Sequence, residues 1–151
     1  MSSEAARRER LRGTLDTASF GVFLIIVGLV FAFTPGFLGS LGDFFRGFAT
    51  YRGPPPYSAF PAVYDAFFNF LSLMGVWSLV LAGIRLAVGL GWLSAVGSAL
   101  GGVFLLVVGY YGRQLFRTGV SVWTVIAFII IAGGILVIVN GLTKHYLGPG
   151  R

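Results

Sequence analysis

Cysteine is absent from this sequence, and charged residues are scarce. None of the 151 residues is Cys, one is His, and 11% are charged. The lack of thiols excludes disulfides, cysteine nucleophiles and cysteine metal sites. A soluble domain usually has about 25% charged residues. A water-facing surface cannot be built from so few charges, and the composition therefore indicates a membrane protein.

The few ionisable residues also exclude most site chemistry. The five carboxylates form no close pair in an apolar run: Glu4, Glu9, Asp16, Asp43 and Asp65. The single histidine, His145, lies beside Lys144 without a second metal ligand nearby. No glycine loop carries the Lys and Ser/Thr of a phosphate-binding motif. We therefore expect a non-enzymatic protein with no catalytic residue, no metal, no cofactor and no soluble small-molecule substrate.

Long apolar runs fill most of the chain, which is 56% hydrophobic with a mean hydropathy of +0.88. There are four, at about residues 15–33, 62–86, 92–112 and 120–142. Each has roughly the 17–25 residues that cross a hydrocarbon core of about 30 Å. The sequence predicts an all-α integral membrane protein, a four-transmembrane-helix bundle. It has a basic segment at 1–14, a membrane domain at 15–142 and a tail at 143–151. We interpret the first run as a retained anchor whose helix begins at Thr14 or Asp16 as N-cap.

Small residues recur seven apart in every run. In a bilayer, transfer of a leucine side chain from lipid to a helix interface gives no hydrophobic gain in free energy. Membrane helices therefore associate where small residues let their backbones approach. We predict helix-packing roles for these rows: Gly21 and Gly28; Gly75, Ala82 and Gly89; Ala95, Gly102 and Gly109; Ala127, Gly134 and Gly141. A second set in the third run includes Gly97 and Gly101.

Two of the runs contain nearly the same octapeptide. Residues 21–28 and 102–109 agree at six of eight positions. Duplication of a helical hairpin and convergence within a glycine-rich composition both explain the match. Spans of this kind recur in many small prokaryotic membrane proteins, a likeness too generic to imply a function.

The loop at 34–61 is apolar at helical spacing. Its large apolar residues are Phe37, Leu41, Phe44, Phe45 and Phe48. This pattern predicts an amphipathic helix in the outer membrane interface, with Asp43 and Arg46 paired on its polar face. The prolines at 54–56 favour a stiff polyproline II segment. It is either a rigid connector or a partner-docking element.

The distribution of basic residues predicts the topology. Seven Lys or Arg residues fall on the side of the two termini and four on the other side. The positive-inside rule therefore places both termini in the cytoplasm, with the chain as a multi-pass protein of the plasma membrane. Two glycines at 89 and 91 predict a tight turn between the second and third spans.

Three polar residues share one face of the second span. Asp65, Asn69 and Ser72 follow a spacing of four and then three residues. They form either an interhelical hydrogen bond or a polar pathway. Asp65 also suits the positive end of a helix or a cation site. Arg85, near the cytoplasmic end, either snorkels to the headgroups or binds an anion or lipid phosphate.

These patterns favour an interaction or accessory subunit. Its expected partners are the lipid bilayer, other membrane subunits or a second copy of itself. Nucleic acid is excluded as a partner because the chain has no soluble basic domain. The alternative is a small oligomeric channel or transporter that uses the polar face of the second span.

Overall fold

The described chain is helical, as the sequence predicts. A computed structural model describes the backbone of residues 3–147 and the side chains of residues 9–11, 13–15 and 17–142. Its elements are α1 (Ser3–Phe33), α2 (Phe37–Tyr51), a 3-10 turn (Tyr57–Ala59), α3 (Pro61–Ala87), α4 (Trp92–Arg117) and α5 (Val122–Leu147). No strand occurs within the described residues. Four helices, α1, α3, α4 and α5, are long and apolar enough to cross a membrane.

The start of α1 corrects one prediction. The helix begins at Ser3, so Thr14 and Asp16 lie in its interior and the N-cap prediction is wrong. The Thr14 hydroxyl instead donates to the Arg10 carbonyl one turn earlier, at 3.0 Å. A hydroxyl that bonds back to its own helix is compatible with a helix interior. The side chains of Arg7, Arg8, Arg12, Lys144, His145 and Arg151, which enter the topology prediction or the histidine argument, lie outside the described residues.

Glycines with positive φ form the tight turns. Gly89 (φ +69°) and Gly91 (φ +99°) join α3 to α4, which confirms the predicted hairpin. Gly119 (φ +77°) joins α4 to α5. L-residues rarely adopt this region, so a side chain at these positions would strain the turn.

Close backbone contact between α3 and α4 forms the centre of the fold. A Cβ atom added to Gly75 would lie 2.8 Å from the carbonyl oxygen of Gly102, and one added to Gly102 would lie 2.8 Å from that of Gly75. Ala82 and Ala95 are 6% and 2% exposed. The two helices therefore approach more closely than larger residues would permit.

The remaining helices pack on this hairpin. Contacts between the four long helices run mainly in a row, from α1 to α3, from α3 to α4 and from α4 to α5. Short α2 lies against α3, where the Phe44 and Tyr64 rings meet edge-on at 5.5 Å. Its exposed Asp43 and Arg46 pair at 3.3 Å, as predicted.

The proline segment folds inward behind α2. Pro55 is fully buried, and its carbonyl accepts a hydrogen bond from the Tyr64 hydroxyl. A Cβ atom on Gly47 of α2 would lie 2.9 Å from Pro55 Cγ. These contacts support the connector interpretation of the prolines.

Candidate functional site

Three ionic side chains, those of Asp65, Arg113 and Arg117, converge where α3 begins and α4 ends. Asp65 lies one turn inside α3, and no acidic residue occupies the first turn. The predicted role of Asp65 as a favourable charge at the helix start is therefore wrong, because that effect decays within the first turn. Asp65 instead faces two arginines of α4.

Asp65 is shared unequally between the two guanidinium groups. Arg113 Nε lies 2.9 Å from Asp65 Oδ1, and Arg117 Nη2 lies 3.7 Å from Asp65 Oδ2. The side chain of Asp65 is 24% exposed, that of Arg113 36% and that of Arg117 47%. Arg113 is the main counter-ion. The three groups together carry one unit of positive charge in excess.

A tyrosine hydroxyl links this ionic cluster to the loop between α2 and α3. Tyr57, in the 3-10 turn, donates to the Asp65 carboxylate at 3.3 Å. The same hydroxyl accepts a hydrogen bond from Arg117 Nε at 3.4 Å. The proline loop, α3 and α4 are therefore connected through one polar cluster, which we call the Asp65 cluster: Tyr57, Asp65, Asn69, Arg113 and Arg117.

The predicted polar face of α3 divides into two environments. Asn69 joins the Asp65 cluster, because its side-chain oxygen accepts a hydrogen bond from Arg113 Nη1 at 3.4 Å. Ser72 does not join it. The Ser72 hydroxyl donates to the Phe68 carbonyl of its own helix at 2.9 Å and faces Gly109 of α4. Asp65 and Asn69 therefore form polar contacts between α3 and α4, as one of the two interpretations of this face predicts.

Arg85 closes the opposite end of the same hairpin. Its Nη1 atom donates to the Ser98 hydroxyl at 2.5 Å and lies 3.4 Å from the Ser94 carbonyl oxygen. Both partners belong to α4. The guanidinium group thus has a protein partner close to the turn, which the sequence interpretation of Arg85 did not include.

The predicted packing glycines fall into two groups. Some have close neighbours: Gly75, Gly102 and Gly109 between α3 and α4, and more loosely Gly97, whose Cβ would lie 3.9 Å from the Asn140 side chain of α5. The others would place a Cβ atom with nothing within 4 Å: Gly21, Gly28, Gly89, Gly101, Gly134 and Gly141. Gly112, absent from the predicted set, packs against the Phe68 ring, and its Cβ would lie 2.6 Å from Cε1.

The ion pairs of Asp65 with Arg113 and Arg117 were not predicted, although the sequence indicates them. In an antiparallel hairpin, residues at equal distances from the turn face each other. Asp65 and Arg113 lie almost equally far from the turn at Gly89 and Gly91, as do Gly75 and Gly102. In the topology prediction, Arg113 and Arg117 are two of the four basic residues on the side opposite the termini.

The side chains of the Asp65 cluster are carboxylate, guanidinium, amide and phenol groups joined by ion pairs and hydrogen bonds. Among the described residues, no group of three His, Cys, Asp or Glu side chains is placed to hold a metal ion. A cavity of about 450 Å³ between α1, α2 and α3 has an almost entirely apolar lining that includes Val27, Phe37 and Phe70. The arginine-rich end of the α3–α4 hairpin, opposite its turn, is the part of the described molecule best suited to bind a charged group.

The comparisons with known proteins bring no further identification: no protein-family model, no curated protein and no solved structure matches this chain.

Proposed function

We propose that this chain is a non-enzymatic accessory subunit of a membrane assembly. It crosses the plasma membrane four times as a helical bundle, with both termini in the cytoplasm and α2 in the outer interface. Four helices of sufficient length and apolarity support the crossing. The excess of basic residues on the side of the termini supports the orientation.

The observation that carries the proposal is an outward row of small residues on α5. Gly134 and Gly141 lie within about 20° of each other around the helix axis. Val125, which is 0% exposed and faces the interior, lies about 180° from Gly134. The row therefore points away from α4. A Cβ atom at either glycine would meet nothing within 4 Å.

Exposed branched side chains border this row on both sides. They are Ile130, Ile131, Val137 and Ile138, between 62% and 71% exposed. Small residues between apolar ridges form a groove that another membrane helix can enter. On α1, Gly21 lies about 180° from buried Val30 and is likewise open.

The contrast with the central hairpin supports an external partner. In α3 and α4 the same seven-residue spacing brings Gly75 and Gly102 into backbone contact. In α1 and α5 it produces surfaces that no described part of the chain covers. A subunit that binds other membrane helices needs such surfaces.

Native mass spectrometry of the protein in mild detergent, extracted from its own host, tests the proposal. We expect a stoichiometric subunit of different sequence, whereas a clean homo-oligomer would favour a channel or transporter. Simultaneous Gly134→Leu and Gly141→Leu should remove that subunit by filling the groove. Gly83→Leu is the matched control, because Gly83 is exposed, meets nothing within 4 Å and has Val76 and Leu90 seven residues away. A wild-type chain that carries only lipid would refute the accessory role.

The orientation has its own test. A cysteine introduced at Ser3 should resist an impermeant thiol reagent in intact cells and react after permeabilisation. Because the natural chain lacks cysteine, the label reports that position alone. Labelling in intact cells would place the N-terminus outside.

A channel or transporter is the second candidate. A cavity of about 240 Å³ lies between α1 and α3, and Asn69 and Ser72 are among its lining residues. A clean homo-oligomer whose ion flux in proteoliposomes disappears in Asn69→Leu would favour this function. The ion pair of Asp65 with Arg113 weighs against it, since that pair engages the polar face of α3 within the protein.

A further inference from the structure

An open cleft lies beside the Asp65 cluster, between the proline loop and the corner that joins α4 to α5. Its volume is about 530 Å³, within the range of small-molecule sites. Tyr57 and Ser58 form one wall. Arg117, Ser121 and Trp123 form the other. The described residues that line it include no carboxylate.

Arg117 supplies this cleft with positive charge that the described residues neutralise only in part. Its contacts to Asp65 (3.7 Å) and to the Tyr57 hydroxyl (3.4 Å) are long beside the 2.7–2.9 Å or so of a charge-assisted hydrogen bond. The single carboxylate lies nearer to Arg113, at 2.9 Å. Arg117, 47% exposed, therefore keeps most of its five N–H donors for another acceptor.

The other lining groups suit a phosphate. A guanidinium group matches phosphate oxygens with two parallel hydrogen bonds. Ser58 and Ser121 line opposite walls, and each has a hydroxyl that can donate to a phosphate oxygen. The first turn of α5, at Val122, adds the positive end of a helix dipole. Trp123 is 67% exposed, as expected of an aromatic residue at headgroup level.

We propose that this cleft binds a phosphate group, either the phosphodiester of an anionic phospholipid headgroup or free phosphate. Arg117 is the principal ligand, and Ser58 and Ser121 are secondary ligands. The site does not depend on the accessory role, because its ligand is not a protein. Loss of the site and loss of a partner subunit are therefore separate outcomes.

Calorimetric titration of the full chain in a neutral detergent at low ionic strength tests the site. The probes are dihexanoyl-phosphatidylglycerol, dihexanoyl-phosphatidylcholine and inorganic phosphate. We expect phosphatidylglycerol, phosphate or both to bind, and added salt to weaken binding. Preference for phosphatidylglycerol over both other probes identifies the lipid source. Binding of phosphate with equal strength identifies a free anion. Absence of binding by both anionic probes overturns the proposal.

Matched variants assign the binding to the cleft. Arg117→Gln should weaken binding about tenfold or more, because a charge-assisted bidentate contact is lost. Arg46→Gln removes the same charge from α2 outside the cleft, where the side chain is 86% exposed, and should change binding less than about twofold. Equal effects of the two variants would show a diffuse surface attraction and overturn the site.

A second variant covers the case in which Arg117→Gln fails to fold. Ser58 is exposed, lies in the 3-10 turn and is outside the Asp65 cluster. Ser58→Asp places a negative charge on the cleft wall and should abolish anion binding while the far-UV circular dichroism stays unchanged. Undiminished binding in folded Ser58→Asp would contradict the proposed location.

Discussion

Replacement of Gly102 by Ala should destabilise the α3–α4 hairpin although alanine is the better helix former. The new Cβ would lie 2.8 Å from the Gly75 carbonyl oxygen and 3.0 Å from Leu79 Cγ. The carbonyl belongs to the facing backbone and cannot rotate away, so the helices must separate. Overpacking of this kind costs about 1–3 kcal/mol. Since Gly→Ala recovers about 1 kcal/mol of helix propensity, the net loss should be about 0–2 kcal/mol.

The neighbouring glycine provides a control that isolates packing. Gly101 precedes Gly102 in α4, and a Cβ atom there would meet nothing within 4 Å. Gly101→Ala should therefore be neutral or stabilising by up to about 1 kcal/mol. Because both variants gain the same methyl group and the same propensity, their difference of about 1–3 kcal/mol reports the contact with Gly75.

Unfolding in mixed micelles measures this difference. The ellipticity of wild type and both variants is followed as the mole fraction of sodium dodecyl sulfate rises, and the midpoints are converted to free energies of unfolding. We expect the order Gly101→Ala, wild type, Gly102→Ala, from most to least stable. Equal midpoints for the two variants would refute close backbone contact at this position.

Three further substitutions test the polar contacts by the same unfolding measurement. Asp65→Asn should lower the free energy of unfolding by about 1–3 kcal/mol because two arginines lose their counter-ion. The control Asp43→Asn, in an exposed ion pair, should change it by less than about 1 kcal/mol. Equal losses in the two variants would contradict a stabilising role of the Asp65 cluster. Tyr64→Phe should cost about 1 kcal/mol through loss of the hydrogen bond to the Pro55 carbonyl. Arg85→Gln should cost about 1 kcal/mol through loss of the bond to Ser98, and no change would indicate that Arg85 interacts mainly with headgroups.

The helices themselves were predictable because length and apolarity suffice to specify them. Four apolar runs form α1, α3, α4 and α5, and the loop in which aromatic residues recur at helical spacing forms α2. The turn at Gly89 and Gly91 was equally accessible, since tight connections require residues that tolerate positive φ. Helix ends were less accurate. The third run extends past 112 to Arg117 because its last turn is amphipathic rather than apolar.

The seven-residue periodicity did not predict which helix each row of glycines contacts. The seven-residue spacing of glycines is the same in α1 and α4, yet Gly102 contacts another backbone and Gly21 contacts nothing within 4 Å. The spacing specifies which face of a helix carries small residues, and the tertiary arrangement determines which helix covers that face. The partner of Asp65 was missed for a related reason, because an ion pair between helices appears only when the hairpin register is considered.

Contacts between α3 and α4 occur at both ends of the hairpin and between them. Arg113 and Asp65 join the helices at the open end, Gly75 and Gly102 meet between, and Arg85 reaches Ser98 near the turn. A surface on α5 can therefore be occupied without rearrangement of the centre. Leucine at Gly134 and Gly141 should then remove a partner and leave the unfolding midpoint of the isolated chain unchanged, whereas Gly102→Ala should lower that midpoint. A simultaneous loss of partner and stability in the α5 variant would mean that its outward face belongs to the core of the protein.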